Sequence, residues 1–175
     1  MDMGHPEIAE IYRDLQQTPP LLKLDVYPSQ QAPIFTAESV LPTFCKWGFD
    51  GIYGKQLIIN ARAETVTDKP WFATDFKCNR CVVPSSGFYE WDSDKNKHLF
   101  ERADGKALFL AGFCKMQNER RFVILTKVAT PPVAEVHNRM PVLLDKSEID
   151  SFLCDTEFAL QRLAETNSVL LTREL

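Results

Sequence analysis

Through the middle of the chain, apolar runs are broken by turn residues and never by a helix of a dozen residues. "SVLPTFCKWGF" (39–49) reads as a strand that turns at Gly48, and "KQLIINARAET" (55–65) as a short strand with a polar end. "RCVVPSSGFYEW" (80–91) reads as strand, turn, strand. "HLFERADGKALFLAGFC" (98–114) reads as a hairpin turning at "ADGK", and "RRFVILT" (120–126) as a buried strand. "PPVAEVHNRMPVLL" (131–144) allows one helical turn before it returns to strand. Parallel neighbours need long crossovers, usually helical, whereas antiparallel ones need only tight turns. The pattern therefore predicts an α+β fold with an antiparallel, β-rich, barrel-like core of six to eight strands. Helices are expected at the chain ends. Ile8, Ile11, Tyr12 and Leu15 recur at helical spacing behind Pro6, and Ile149, Phe152 and Leu153 form an apolar face capped by Asp145 or Ser147. "TEFALQRLAE" (156–165) adds a last helix. The 175 residues are expected to form a single domain over 1–175.

Within "SSGFYEW" (85–91) one carboxylate, Glu90, sits in a run of aromatics. Alternation along a strand puts Glu90 on the face of Phe88, and Tyr89 and Trp91 on the other. On a wet face Glu90 is an ordinary surface acid. Half buried, its proton affinity rises toward neutral pH, which suits a proton carrier.

Three polar clusters end strands: "INARAET" with Asn60 and Arg62, "GFYEW" with Glu90, and "HNRMP" with His137 and Arg139. Singly, Asn60 is a turn former, Glu90 a solvated acid and His137 a hydrogen-bonded loop histidine. Together they offer an amide, a carboxylate and an imidazole. "CNRC" (78–81) has the spacing of a zinc or redox pair. No second Cys or His pair accompanies it, and Cys81 runs into a strand instead of opening a helix, so two unrelated thiols are expected. No metal and no cofactor are expected.

The formal charge is −4, which argues against a general polyanion binder. The charge is uneven: residues 55–139 carry 14 Lys/Arg against 10 Asp/Glu, and the rest carry 6 against 14. The central motifs thus fall in the more basic part. No apolar run approaches the roughly 20 residues of a membrane span, and the opening "MDMGHPEIAE" does not resemble a signal peptide. Cys45, Cys114 and Cys154 have apolar neighbours and read as reduced core thiols. These features predict a cytoplasmic protein without membrane contact, and a monomer.

"INARAET", "RCVVPSSGFYEW" and "FVILT…HNRMPVLL", in that order, resemble the SRAP domain, the SOS response-associated peptidase family. "VYPSQQAP" and "KWGF" support the likeness, which covers about residues 25–145. The resemblance implies a protein that senses abasic sites in single-stranded DNA and crosslinks to them covalently. A cysteine directly after the initiator methionine, exposed when the protein removes that methionine, closes a thiazolidine ring on the sugar aldehyde. DNA-lyase activity is implied as well. By resemblance, Asn60, Glu90 and His137 are the catalytic set, and Arg62, Arg139, Trp47 and Thr126 contact DNA. Arg62 and Arg139 would grip phosphates, and an exposed Trp47 would stack on a neighbouring base.

The likeness breaks at the start. The family opens Met-Cys-Gly-Arg; this sequence opens "MDMG", and its first cysteine is Cys45. The chain as given is therefore expected not to crosslink. Either its start is assigned too late, or it is a variant without that chemistry. Two alternatives remain: a non-enzymatic single-strand binding module, and a thiol peptidase or hydrolase built on Cys81, His137 and Asn60.

Overall fold

The computed structural model describes residues 6, 7, 10, 25–51, 56–166 and 169–174. The N-terminal helix expected around Ile8–Leu15 lies almost wholly outside them. Strands and helices are numbered in chain order. The core is a ring of five strands: β1 (Gln31–Thr36), β2 (Ser39–Trp47), β6 (Arg80–Ser85), β9 (Leu108–Met116) and β10 (Arg120–Val128). They pair in the order β10–β2–β1–β6–β9, and β9 returns to β10, so the sheet closes on itself. Closure removes the exposed edges that an open sheet of such apolar strands would present.

The fold class is α+β with a barrel core. One detail differs from the expected all-antiparallel pairing: β10 runs parallel to β2 and to the short β5 (Asn60–Arg62). On its other rim β10 takes β11 (Arg139–Pro141) antiparallel, and β9 takes β12 (Leu143–Leu144). A two-stranded ribbon, β3 (Phe49–Asp50) with β4 (Leu57–Ile58), follows the turn at Gly48. Gly48 holds φ +106, which L side chains rarely adopt, and a Cβ there would lie 2.7 Å from Leu57.

The segment 98–114 is not a hairpin. β8 (Lys97–Arg102) pairs with β7 (Gly87–Trp91) and with the C-terminal β13 (Leu171–Glu174), forming a separate three-stranded sheet beside the barrel. β9 belongs to the barrel. The true hairpin turn is at 92–96, where the Asp92 carboxylate accepts from the backbone N–H of Asp94 and of Asn96, each at 2.9 Å. "ADGK" turns the chain between sheets instead.

Three helices pack around these sheets: α1 (Pro70–Cys78), α2 (Ile149–Cys154) and α3 (Thr156–Ala164). α1 sits mid-chain and was not expected. Its Phe72 and Phe76 meet Phe113 of β9 edge-on, at centroid distances of 5.5 and 6.2 Å. Buried Arg80 donates to the carbonyls of Phe76 and Lys77 at the end of α1, and to those of Phe152 and Leu153 at the end of α2. A cation at helix C-termini satisfies orphan carbonyls and complements both dipoles. Cys45, Cys81 and Cys114 are buried. Cys154 is exposed, contrary to expectation, because the period of α2 turns it outward while Phe152 and Leu153 face in.

Candidate functional site

The inner rim of β7 faces the barrel across a cavity of about 210 Å³. Trp47, Asn60, Glu90 and Thr126 all line it, although they come from four different strands. Pairing with β10 fixes β5 through the registers Ile124↔Asn60 and Thr126↔Arg62. Ala61 is buried, so Asn60 and Arg62 share the outward face. His137 follows a short 3-10 turn (Val133–Glu135), and its backbone N–H donates to the Val133 carbonyl at 2.9 Å. That turn carries the ring to Glu90, with Nδ1 3.3 Å from Oε2. Asn60 and Glu90 therefore share one cavity, and His137 joins them through Glu90.

The surroundings of Nδ1 bear on proton transfer. It lies 3.1 Å from the Arg139 carbonyl and 3.3 Å from the Arg139 backbone N–H, as well as beside Glu90. A protonated Nδ1 finds acceptors and a bare Nδ1 finds a donor. Nδ1 thus has both acceptor and donor neighbours within reach. The Glu90 side chain is 21% exposed. Burial raises its pKa, and the neighbouring imidazole opposes that rise. Glu90 is the half-buried acid of the two alternatives, not the solvated one.

Two expected DNA contacts differ from their sequence reading. The Arg139 fork is occupied: Nη1 and Nη2 bind both oxygens of Glu64 at 2.7 and 2.8 Å, and Nη2 also donates to the Thr126 carbonyl. The guanidinium beside Glu64 holds that carboxyl down to about 2. Trp47 is half-buried, not exposed. Its Nε1 donates to the Ile59 carbonyl at 3.0 Å and its ring stacks on Phe122, leaving part of the indole for the cavity wall. Thr126 is buried, with its hydroxyl 3.5 Å from the Ala61 carbonyl. Arg62 is exposed on Asn60's face.

Sequence reasoning missed several groups here. Tyr27 and Trp91 stand at the cavity mouth, 54% and 49% exposed. Tyr89 donates to Asp25 at 2.9 Å, and Lys97 sits 3.5 Å over the Tyr89 ring. Glu64 lay in view within "INARAET", but its partner arrives from 75 residues away and no local pattern announces it. The Cys81–His137–Asn60 triad is not assembled. Cys81 is fully buried in β6, does not line the cavity, and His137 contacts Glu90 and Arg139 instead. Among the described residues no group of three His, Cys, Asp or Glu side chains is placed to hold a metal ion. Among them, too, no helix is long and apolar enough to cross a membrane.

The family model described as SOS response associated peptidase (SRAP) matches residues 5–172. The chain belongs to the SRAP family. Two SRAP relatives carry the description abasic site processing protein. YoaM of Bacillus subtilis is 35% identical over 108 residues, which is 56% of this chain and 47% of that protein. YedK of Escherichia coli K12 is 29% identical over 149 residues, 77% of this chain and 66% of that protein. The chain thus spans about half to two thirds of the length of these relatives. In fold, the SRAP barrel is similar to two crystal structures. A Bordetella bronchiseptica protein matches with TM-score 0.75 and 20% identity over 94% of this chain and 93% of its own. A Bacteroides thetaiotaomicron protein matches with TM-score 0.69 and 21% identity over 83% and 73%.

Proposed function

We propose that this SRAP chain recognises abasic sites in single-stranded DNA and seats the base-free sugar in the cavity between β7 and the barrel. The observation that carries this reading is that Asn60 and Glu90 line one cavity while His137 stands against Glu90, whose pKa is raised by burial. The names of the relatives agree with it.

The chemistry follows from the groups present. An abasic sugar reacts as an aldehyde once its ring opens. His137 gives a proton to the ring oxygen as the C1′ hydroxyl loses one. An amine delivered to the cavity must be unprotonated to attack the aldehyde carbon, and Glu90 takes its proton. The new N–C bond forms as the carbonyl pair moves to oxygen, which is protonated and leaves as water, giving an imine. A thiol on the same residue as the amine then adds to the imine carbon and closes the ring, its proton passing to nitrogen. Asn60 hydrogen-bonds amine or sugar without a change of charge. Positioned acid–base groups of this kind contribute roughly 100- to 10,000-fold to rate.

The ring needs an amine and a thiol on one residue. The five free thiols suit a reducing, cytoplasmic setting.

The test pairs abasic and intact oligonucleotides. Tighter binding to the abasic strand is expected. Adding an N-terminal Met-Cys-Gly-Arg segment is expected to produce a stable covalent band on a denaturing gel, and Glu90→Gln to slow its appearance. Equal affinity for both strands would reduce the protein to a general single-strand binder. Arg62→Ala is expected to weaken binding to all strands alike and to lower the salt slope by about one.

A further inference from the structure

The proposed chemistry leaves a set of polar groups next to Glu90 unused. Registers across β7, β8 and β13 place Phe88, Phe100 and Arg173 in one row of a sheet face, and Glu90 with His98 in the next. His98 is therefore the direct cross-strand neighbour of Glu90. It is 2% exposed. Arg173 Nε lies 3.2 Å from His98 Nδ1, and His98 Nε2 lies 3.0 Å from the Asp92 carboxylate. The guanidinium reaches both ring nitrogens, with Nη2 also 3.4 Å from Nε2; the Asp92 acceptor at 3.0 Å assigns the hydrogen to Nε2 and leaves the Nδ1 lone pair for Arg173 Nε. The ring is fixed at both nitrogens.

Arg173 also reaches in a second direction. Its Nη1 lies 3.7 Å from Glu135, within the 3-10 turn that delivers His137. One short segment, 135–137, thus touches the same sheet face twice: Glu135 on Arg173 and His137 on Glu90. The Glu135 contact is exposed, and such pairs add little stability. Its effect is on where the turn sits.

We propose that Arg173 and His98 are positioning residues for the Glu90–His137 pair, so that strand β13 belongs to the functional site. His98 packs beside the Glu90 side chain, and Arg173 locks His98 and steadies the turn. The inference deepens the proposed function, but its test needs no DNA. The charged and titratable groups around Glu90 are His137, His98, Asp92, Arg173, Glu135 and Arg139, Glu64 behind Arg139, and at the cavity Lys97 with its partner Asp25 and the phenols of Tyr27 and Tyr89.

The experiment follows the side-chain carboxyl NMR signal of Glu90 against pH in the full chain, assigned by its loss in Glu90→Gln. His137→Gln removes the group that holds the Glu90 midpoint down and is expected to raise that midpoint. The same His137→Gln step is then repeated in Arg173→Gln and in His98→Phe backgrounds. If the two residues hold the pair together, its effect falls by about half or more in both, a non-additivity expected of groups acting as one unit. Arg173→Lys, which keeps the charge but not the fork, is expected to behave like Arg173→Gln. An unchanged His137→Gln effect in these backgrounds would overturn the proposal, because a merely structural Arg173 or His98 lowers thermal stability and leaves the coupling intact. Should Arg173→Gln detach β13, His98→Phe decides, since its ring fills the same slot. Loss of abasic-site preference alone would sink the proposed function and leave this inference standing.

Discussion

The barrel and the cavity beside it use opposite rules. In the barrel every strand is paired on both sides, and β9 and β10 are buried along nearly their full lengths. At the cavity, four strands bring together side chains that range from buried Thr126 to exposed Asn60, and β7 stands at the edge of a small sheet. The barrel is stabilised by what it excludes; the cavity holds a carboxylate, Glu90, whose burial costs stability and raises its pKa. A carboxylate such as Glu90 persists there because the closed ring next to it supplies the surplus.

That contrast can be broken at several points. Phe113→Ala removes the ring on which Phe49, Phe72 and Phe76 converge, and is expected to cost about 3–5 kcal/mol, read as a lower urea midpoint with little change of slope. Gly112→Ala forces a Cβ to 2.5 Å from the Val123 carbonyl across the β9–β10 closure, with an expected loss of about 1–3 kcal/mol, again by urea titration. Glu90→Gln is expected to move the other way by a smaller amount. Because the folded state raises the Glu90 pKa, the native carboxylate is penalised as pH climbs from its unfolded value through its folded one. The variant should be the more stable at neutral pH and indistinguishable in acid, by thermal melts across pH. A stability loss at neutral pH would mean that Glu90 is structural and the contrast false. Glu64→Gln has the smallest effect. The pKa of Glu64 falls from 4.5 to about 2 on folding, so its contribution is present above pH 4.5 and is lost as pH falls through 2. With the Glu64 side chain 44% exposed, screening keeps the difference from wild type near or below about 1 kcal/mol, and acid titration should show it vanish at the low end.

Strands were legible where β-branched and aromatic residues run between turn residues, as in β6, β7 and β10. Partners were less so. "ADGK" marks a turn, with Gly105 at φ +70, but a turn residue does not say which strands it joins; the Asp92 side-chain bonds made the competing turn the hairpin. α1 escaped notice because it is nine residues long and has no side-chain N-cap bond. β13 escaped because "LTRE" becomes a strand only when β8 offers it an edge. At the site, the gathering of Asn60, Glu90 and His137 came from the ordered motifs of a family resemblance, not from spacing. The occupied Arg139 and the half-buried Trp47 depend on Glu64, Ile59 and Phe122, contacts that exist only once the chain has folded.

Glu64 occupies the Arg139 fork, where a phosphate would otherwise have to bind, and leaves the exposed Arg62 beside it. A polyanion arriving at Arg139 finds a neutralised pair and displaces few counterions by touching it. If this protein reads abasic sites as proposed, discrimination then rests on shape: a strand with a missing base can fold its bare sugar inward, and an intact one cannot.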